Sequence, residues 1–268
     1  MGNALRTAAL AALFLLSSGL AAAQGAEAVN VPVSGGRTLS AQLFRPAGGA
    51  PAPAVLVLHT AFGSVEAFDA QYARDLAAAG FVALAVNYLD PDVTGGGMRI
   101  WAPGITADLA EAVTWLQSRP EVAGKPVGAV GFSLGSHAVL LSAKQPALKA
   151  VVVYYGAYDA RKLRGLKLPP AVRMPVEVAA EVQAPVLLLH GEADDEIPVS
   201  DAKGMQVALA AAGKPVELVT YPGAYHRFDR GPLASGAKGR YTYVKDEAAA
   251  KDAFARTLAW LRKYLGSP

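Results

Sequence analysis

Short apolar runs, parted by polar and glycine-containing stretches, set the rhythm of this chain. Val29 to Val33 and Leu39 to Arg45 flank Ser34-Gly35-Gly36, a spacing that predicts an antiparallel hairpin. Further runs at Ala54 to Leu58, Phe81 to Val86, Val127 to Gly131, Ala150 to Tyr154, Val186 to Leu189 and Val216 to Tyr221 predict strands that are apolar on both faces and therefore buried. Helical patterns separate most of them. Val65 to Ala79 has helix-forming composition, and Ile105, Leu109, Ala112, Val113 and Leu116 recur at helical spacing before Pro120. A helix follows residues 131 to 136, Ala202 to Ala212 ends at Gly213, and Phe254, Leu258, Leu261 and Leu265 form the apolar stripe of a terminal helix. Strands alternating with helices predict an α/β fold: a mostly parallel central sheet with helices on both faces, behind an N-terminal antiparallel hairpin.

Asp90 to Gly104 and Asp159 to Glu181 break the rhythm with Gly95-Gly96-Gly97, Pro169-Pro170 and Pro175. Both would lie beyond the carboxyl ends of strands, where open α/β sheets place ligands. They are expected to be pocket walls or a lid, or else ordinary surface excursions.

The first residues follow another logic. Arg6 gives a positive start, Ala8 to Leu16 a short apolar core, and Ala21-Ala22-Ala23 a small-residue cleavage site, so residues 1–23 read as a secretory signal peptide. The expected product is one exported domain, residues 24–268, periplasmic or extracellular. Ser17, Ser18 and Gly19 interrupt the run short of the roughly 20 apolar residues a spanning helix needs, so stable membrane insertion is not expected. With 268 residues, 53% of them hydrophobic, the chain can build a substantial core. Its net charge of +3 comes from scattered Lys and Arg without dense basic blocks, which argues against a nucleic-acid partner. The absence of cysteine excludes disulfides, a thiolate nucleophile and a cysteine-based zinc site. Nothing in the sequence sets the oligomeric state.

Candidate chemistry centres on Gly131-Phe132-Ser133-Leu134-Gly135. This GxSxG lies between the apolar run VGAVGF and the helical stretch LGSHAVLLSAK, the context of a nucleophile elbow. A tight strand-to-helix turn needs small flanking residues, lifts the hydroxyl of Ser133 clear of the sheet, and points the amide of Leu134 at the same space. A serine hydroxyl needs a base oriented by a carboxylate. Of the four histidines, His59 and His190 each close an apolar run, and His137 lies one turn beyond Ser133 facing away from the tip. His226, in the glycine-containing stretch TYPGAYHRF after the last run, is the expected base. For the acid, GEADDEIPVS offers Asp194, Asp195 and Glu196. Asp194 is favoured by its spacing to Ile197-Pro198, with Asp195 and Asp159 as alternatives. The order Ser133, Asp194, His226 is that of α/β-hydrolases. A second oxyanion donor is expected from HTAFG after the third run, with the amide of Ala61 as the candidate.

From about Leu39 to Leu265 the chain resembles the dienelactone hydrolase family. The matching pieces are HTAFG, ARDLAAAGFVALAVNYL, GFSLGS, VVVYYGAYD, HGEADDEIP and YPGAYHRF. The resemblance implies an α/β-hydrolase fold, a small-molecule ester or lactone substrate, and no metal or organic cofactor. Two departures stand out. Dienelactone-cleaving members carry a cysteine at the elbow, where this chain has Ser133, and tend to carry a glutamate where it has Thr60. Both point away from dienelactone itself and toward esterase-like members that act through an acyl-serine. A prolyl-oligopeptidase-like peptidase and a non-catalytic scaffold are the competing expectations. Ser136 stands where such peptidases usually carry a further glycine, and a scaffold would typically lack a triad member. For substrate binding, Arg99 and Trp101, or Tyr155 and Tyr158, could contact an acidic or aromatic acyl group. Arg161, Lys162, Arg164 and Lys167 could draw in an anion or simply form a solvated face.

Overall fold

The computed structural model describes residues 25–61, 67–89, 103–162, 172–232 and 240–268. Eight strands form one sheet: β1 (Glu27–Val33), β2 (Arg37–Phe44), β3 (Ala54–Leu58), β4 (Val82–Val86), β5 (Val127–Phe132), β6 (Leu148–Tyr154), β7 (Val186–Gly191) and β8 (Val216–Tyr221). Among the described residues, five α-helices connect or flank them: α1 (Ala67–Ala78), α2 (Pro103–Gln117), α3 (Leu134–Ser142), α4 (Val199–Ala211) and α5 (Glu247–Leu265). The strand order is β1-β2-β4-β3-β5-β6-β7-β8. β1 pairs antiparallel with β2 and β2 with β4, while every pairing from β4 across to β8 is parallel. The hairpin closes at Val33 and Arg37, with Gly35 and Gly36 at φ 78° and 71°, a region that favours residues without Cβ.

Buried residues of the central strands turn alternately to one of two cores, as period-2 alternation requires. Leu56 and Leu58 of β3 face Leu109, Val113, Leu140 and Met205, which belong to α2, α3 and α4. Val55 and Val57 face the other way, toward Tyr72 and Leu76 of α1 and Ala253 and Leu261 of α5. The continuous apolar runs are thus explained by helices on both faces. The expectation of full burial fails at β8, where Tyr221 alone is buried. That strand is the sheet's edge, and one of its flanks has no neighbour to cover it. Residues 1–24, hence the predicted signal peptide, lie outside the described residues. No helix among the described residues is long and apolar enough to cross a membrane.

Of the two segments expected to wall a pocket, residues 90–102 and 163–171 also lie outside the described residues. What is described of the second consists mainly of two short 3-10 helices, Ala160–Lys162 and Pro175–Glu181.

Candidate active site

β5 runs straight into α3, and Ser133 is the single residue between them. Its backbone sits at φ 52° and ψ −113°, a region L-residues rarely occupy, at a cost of order 1–3 kcal/mol. Crowding enforces it. A Cβ on Gly131 would lie 2.5 Å from the carbonyl carbon of Gly135, and one on Gly135 would lie 2.4 Å from the carbonyl oxygen of Leu58 in β3. The two glycines are therefore demanded by contact between strand and helix. The amide of Ser133 donates to Tyr154 O at 2.9 Å, and the hydroxyl of Ser136 donates to Gly131 O at 2.7 Å and Tyr154 O at 2.9 Å, which stitches the turn to β6. As the first residue of α3, Leu134 has an amide with no acceptor inside the helix.

The other two members arrive on loops after β7 and β8, at the same edge of the sheet. These loops touch: a Cβ on Gly191 would lie 2.2 Å from Ala224 O, and the amide of Ala193 donates to that oxygen at 3.0 Å. Asp194 is buried, and its Oδ1 accepts the amides of Glu196 at 3.0 Å and Ile197 at 2.8 Å, a local turn that fixes the carboxylate plane. Its Oδ2 faces His226 Nδ1 at 2.8 Å, and His226 Nε2 lies 3.1 Å from Ser133 Oγ. With Nδ1–H donated to a carboxylate, Nε2 of the neutral ring is left as an acceptor toward the hydroxyl. Burial alone would push the Asp194 carboxyl up. Hydrogen bonds from His190 and His226 outweigh it and hold Asp194 below the usual carboxylate range.

The remaining histidines are all buried and engaged elsewhere. His190 Nε2 donates to Ile197 O at 2.8 Å and lies 3.3 Å from Asp194 Oδ2, behind the acid. His137 Nδ1 meets Ala157 O at 3.0 Å, and burial lowers this imidazole to about 4. His59 meets Thr60 O at 2.7 Å and packs on Tyr88 with ring centroids 4.5 Å apart. The alternative acids point away. Asp195 accepts the amide and hydroxyl of Thr242, and Asp159 pairs with Arg161 and Lys162.

Tyr155, expected as a substrate contact, is instead a support. It is fully buried at φ 38°, its hydroxyl donates to Asp229 Oδ1 at 2.7 Å, and its ring meets His226 edge-on at 4.6 Å. Tyr158 is likewise buried in the apolar interior. Arg99 and Trp101, and Arg164 and Lys167, lie outside the described residues. Arg161 and Lys162 pair with local carboxylates, the behaviour of a solvated face. Ala61 sits exposed just after β3, at the same edge as the elbow.

Three contacts carried no signal along the chain. Glu196 Oε2 lies 3.7 Å from His226 Nε2 and accepts the Tyr243 hydroxyl at 2.7 Å. Arg230, almost wholly buried, pairs with Asp69 at 2.8 Å, its guanidinium 3.9 Å and 4.2 Å from the ring centroids of Phe68 and Phe132. Arg227, at φ 59°, reaches Gly231 O at 3.2 Å and Thr60 Oγ1 at 3.5 Å. Only the three-dimensional meeting of distant loops reveals them.

Residues 39–265 match the model of the dienelactone hydrolase family. The chain belongs to this family. The match spans the stretch over which the sequence motifs pointed to it. A family relative in Methylorubrum extorquens, provisionally named a carboxymethylenebutenolidase, is 31% identical over 88% of this chain and 80% of its own length. Among solved structures, a provisionally assigned dienelactone hydrolase from Klebsiella pneumoniae is 30% identical, covering 89% of this chain and 98% of that one, with a TM-score of 0.72. A puromycin-hydrolyzing peptidase of Mycobacterium tuberculosis shares the fold with a TM-score of 0.72. At 20% identity, over 91% of this chain and 40% of the peptidase, that likeness is one of architecture alone.

Proposed function

We infer that this dienelactone hydrolase family member is a serine hydrolase that cleaves carboxylic ester or lactone bonds through an acyl-serine intermediate. The single observation that carries the reading is the imidazole of His226 spanning Ser133 Oγ at 3.1 Å and Asp194 Oδ2 at 2.8 Å. Family relatives named as a carboxymethylenebutenolidase and as a lactonase support the substrate class.

Ser133 Oγ attacks the carbonyl carbon while its proton passes to His226 Nε2. Asp194 holds the ring's tautomer and faces the resulting imidazolium. The amides of Leu134 and Ala61 receive the oxyanion, each such donor contributing about 3 to 4 kcal/mol to the transition state. The carbon–oxygen bond to the leaving group then breaks, and His226 returns the proton to the departing oxygen. A lactone ring opens at this step, and its hydroxyl stays on the acyl chain. Water, deprotonated by the same imidazole, attacks the acyl-serine and frees the acid. No step in this sequence calls on a metal or organic cofactor.

The deciding experiment is Ser133→Ala assayed on p-nitrophenyl esters of graded length, with a lactone and a peptide amide alongside. A folded variant with at least about a thousand-fold lower kcat/KM is expected, together with loss of fluorophosphonate labelling. Undiminished turnover would overturn the assignment, and preference for the amide would favour a peptidase. The leader-like residues 1–23 further support export of residues 24–268 to the periplasm or beyond. Fractionation with N-terminal sequencing of the mature protein tests that, and an uncleaved cytoplasmic product would refute it.

A further inference from the structure

Three consecutive carboxylates in the loop after β7 hold three different partners. Asp194 orients His226, Asp195 accepts Thr242 of the segment before α5, and Glu196 accepts the hydroxyl of Tyr243 at 2.7 Å. The third is the unusual one. Glu196 Oε2 lies 3.7 Å from His226 Nε2, and its side chain keeps 27% of its surface open while the imidazole keeps 2%. Burial first, and then Glu196 itself, pushes the Tyr243 phenol up, so the phenol stays the donor to the carboxylate.

His226 Nε2 is the atom that must hand its proton to the departing oxygen. That oxygen therefore comes within about 3 Å of Nε2, and hence within several ångströms of Glu196. A charge carried by the leaving group is then felt across a part-buried cleft, where like charges repel far more than in open water. Arg227 is the cation nearest to offsetting this, with its guanidinium carbon 5.8 Å from the Tyr243 ring centroid. It is buried and bonded to Gly231 O and Thr60 Oγ1. Among the described residues that touch the triad, Glu196 presents the accessible charge.

We propose that Glu196 is a specificity-determining residue that makes the leaving-group side of the cleft reject carboxylate-bearing alcohols and accept neutral or cationic ones. The proposal rests on the serine-hydrolase reading above and adds the charge class of its substrate.

The test uses the full-length protein and three acetate esters matched in size: methyl 4-acetoxybenzoate, 4-acetoxybenzoate, and 4-acetoxy-N,N,N-trimethylanilinium. The wild type is expected to turn over the neutral ester at least about tenfold better in kcat/KM than the anionic one, with the cationic ester equal to the neutral or better. Raising the salt concentration should narrow this gap by screening. In Glu196→Gln the neutral-to-anionic ratio should fall toward unity whatever the absolute rates. Tyr243→Phe, which removes the tether and keeps the carboxylate, should preserve the ratio. A merely structural Glu196 would change all three rates together and leave the ratio alone. A flat ratio in the wild type, or an unchanged ratio in Glu196→Gln, with turnover still dependent on Ser133, overturns the proposal while the hydrolase reading survives. Failure of any ester to show Ser133-dependent turnover removes both.

Discussion

At the elbow, Ser133 is positioned by the backbone: two glycines, each with other main-chain atoms within 2.5 Å of where a side chain would begin, let strand and helix close tightly on either side of it. In the loops opposite, Asp194 and His226 are positioned by side chains: one carboxylate takes two amides on one oxygen and an imidazole on the other. The first arrangement is steric and all-or-none. The second is polar and graded, and it extends outward through Asp195 and Glu196 to Thr242 and Tyr243. Burial is graded within the second arrangement: Asp194 and His226 are buried, Glu196 and Tyr243 half-buried, and Asp195 and Thr242 exposed.

The contrast can be broken most severely at its polar half. Asp194→Asn keeps the size of the side chain but removes the charge that selects the imidazole tautomer, so kcat should fall about 10⁴-fold while thermal unfolding stays cooperative. A drop of less than tenfold would mean that His226 is oriented by something else. Gly135→Ala probes the steric half. Its methyl would meet Leu58 O at 2.4 Å, and neither backbone can yield, so about 3 kcal/mol or more of stability should be lost in urea unfolding.

A smaller effect comes from His137 on the elbow helix. Burial holds its imidazole at about 4, so the folded state resists a proton that the unfolded chain accepts near pH 6.5. Stability is therefore unaffected by this group above pH 6.5 and declines as pH falls below it. The loss is about 2 kcal/mol by pH 5. His137→Gln should flatten that decline by a similar amount, read from denaturant midpoints at pH 7 and 5. Least of all should depend on Thr242. Its bonds to Asp195 are exposed, so Thr242→Val should cost under about 1 kcal/mol. A larger loss would show that the polar half is as unforgiving as the crowded one.

The same division explains what was legible in the amino-acid string. Crowding leaves a local signature, because Gly131 and Gly135 must be what they are on either side of Ser133, between an apolar strand and an apolar helix. The sheet was equally readable, since six two-sided apolar runs need helices on both faces. Only edge strand β8 departs, because burial there depends on which neighbours exist. The loops after β7 and β8 stand out in the sequence by their position after apolar runs, and the structure brings Asp194 and His226 of those loops together with Ser133. Tyr155 misled, since an aromatic after a strand looks the same whether it lines a cleft or backs the histidine. Glu196 showed no separate role because its significance lies in a distance to a residue thirty positions away.

The backbone of Ser133 is held where residues with side chains seldom settle. On the serine-hydrolase reading, this residue at φ 52° and ψ −113° is there for its oxygen, and glycine would occupy that place with less strain. Durability and turnover are thus opponents at a single codon. A descendant freed from its chemistry could exchange the serine for glycine, melt at a higher temperature, and persist as an inert relative whose architecture still advertises the reaction it gave up.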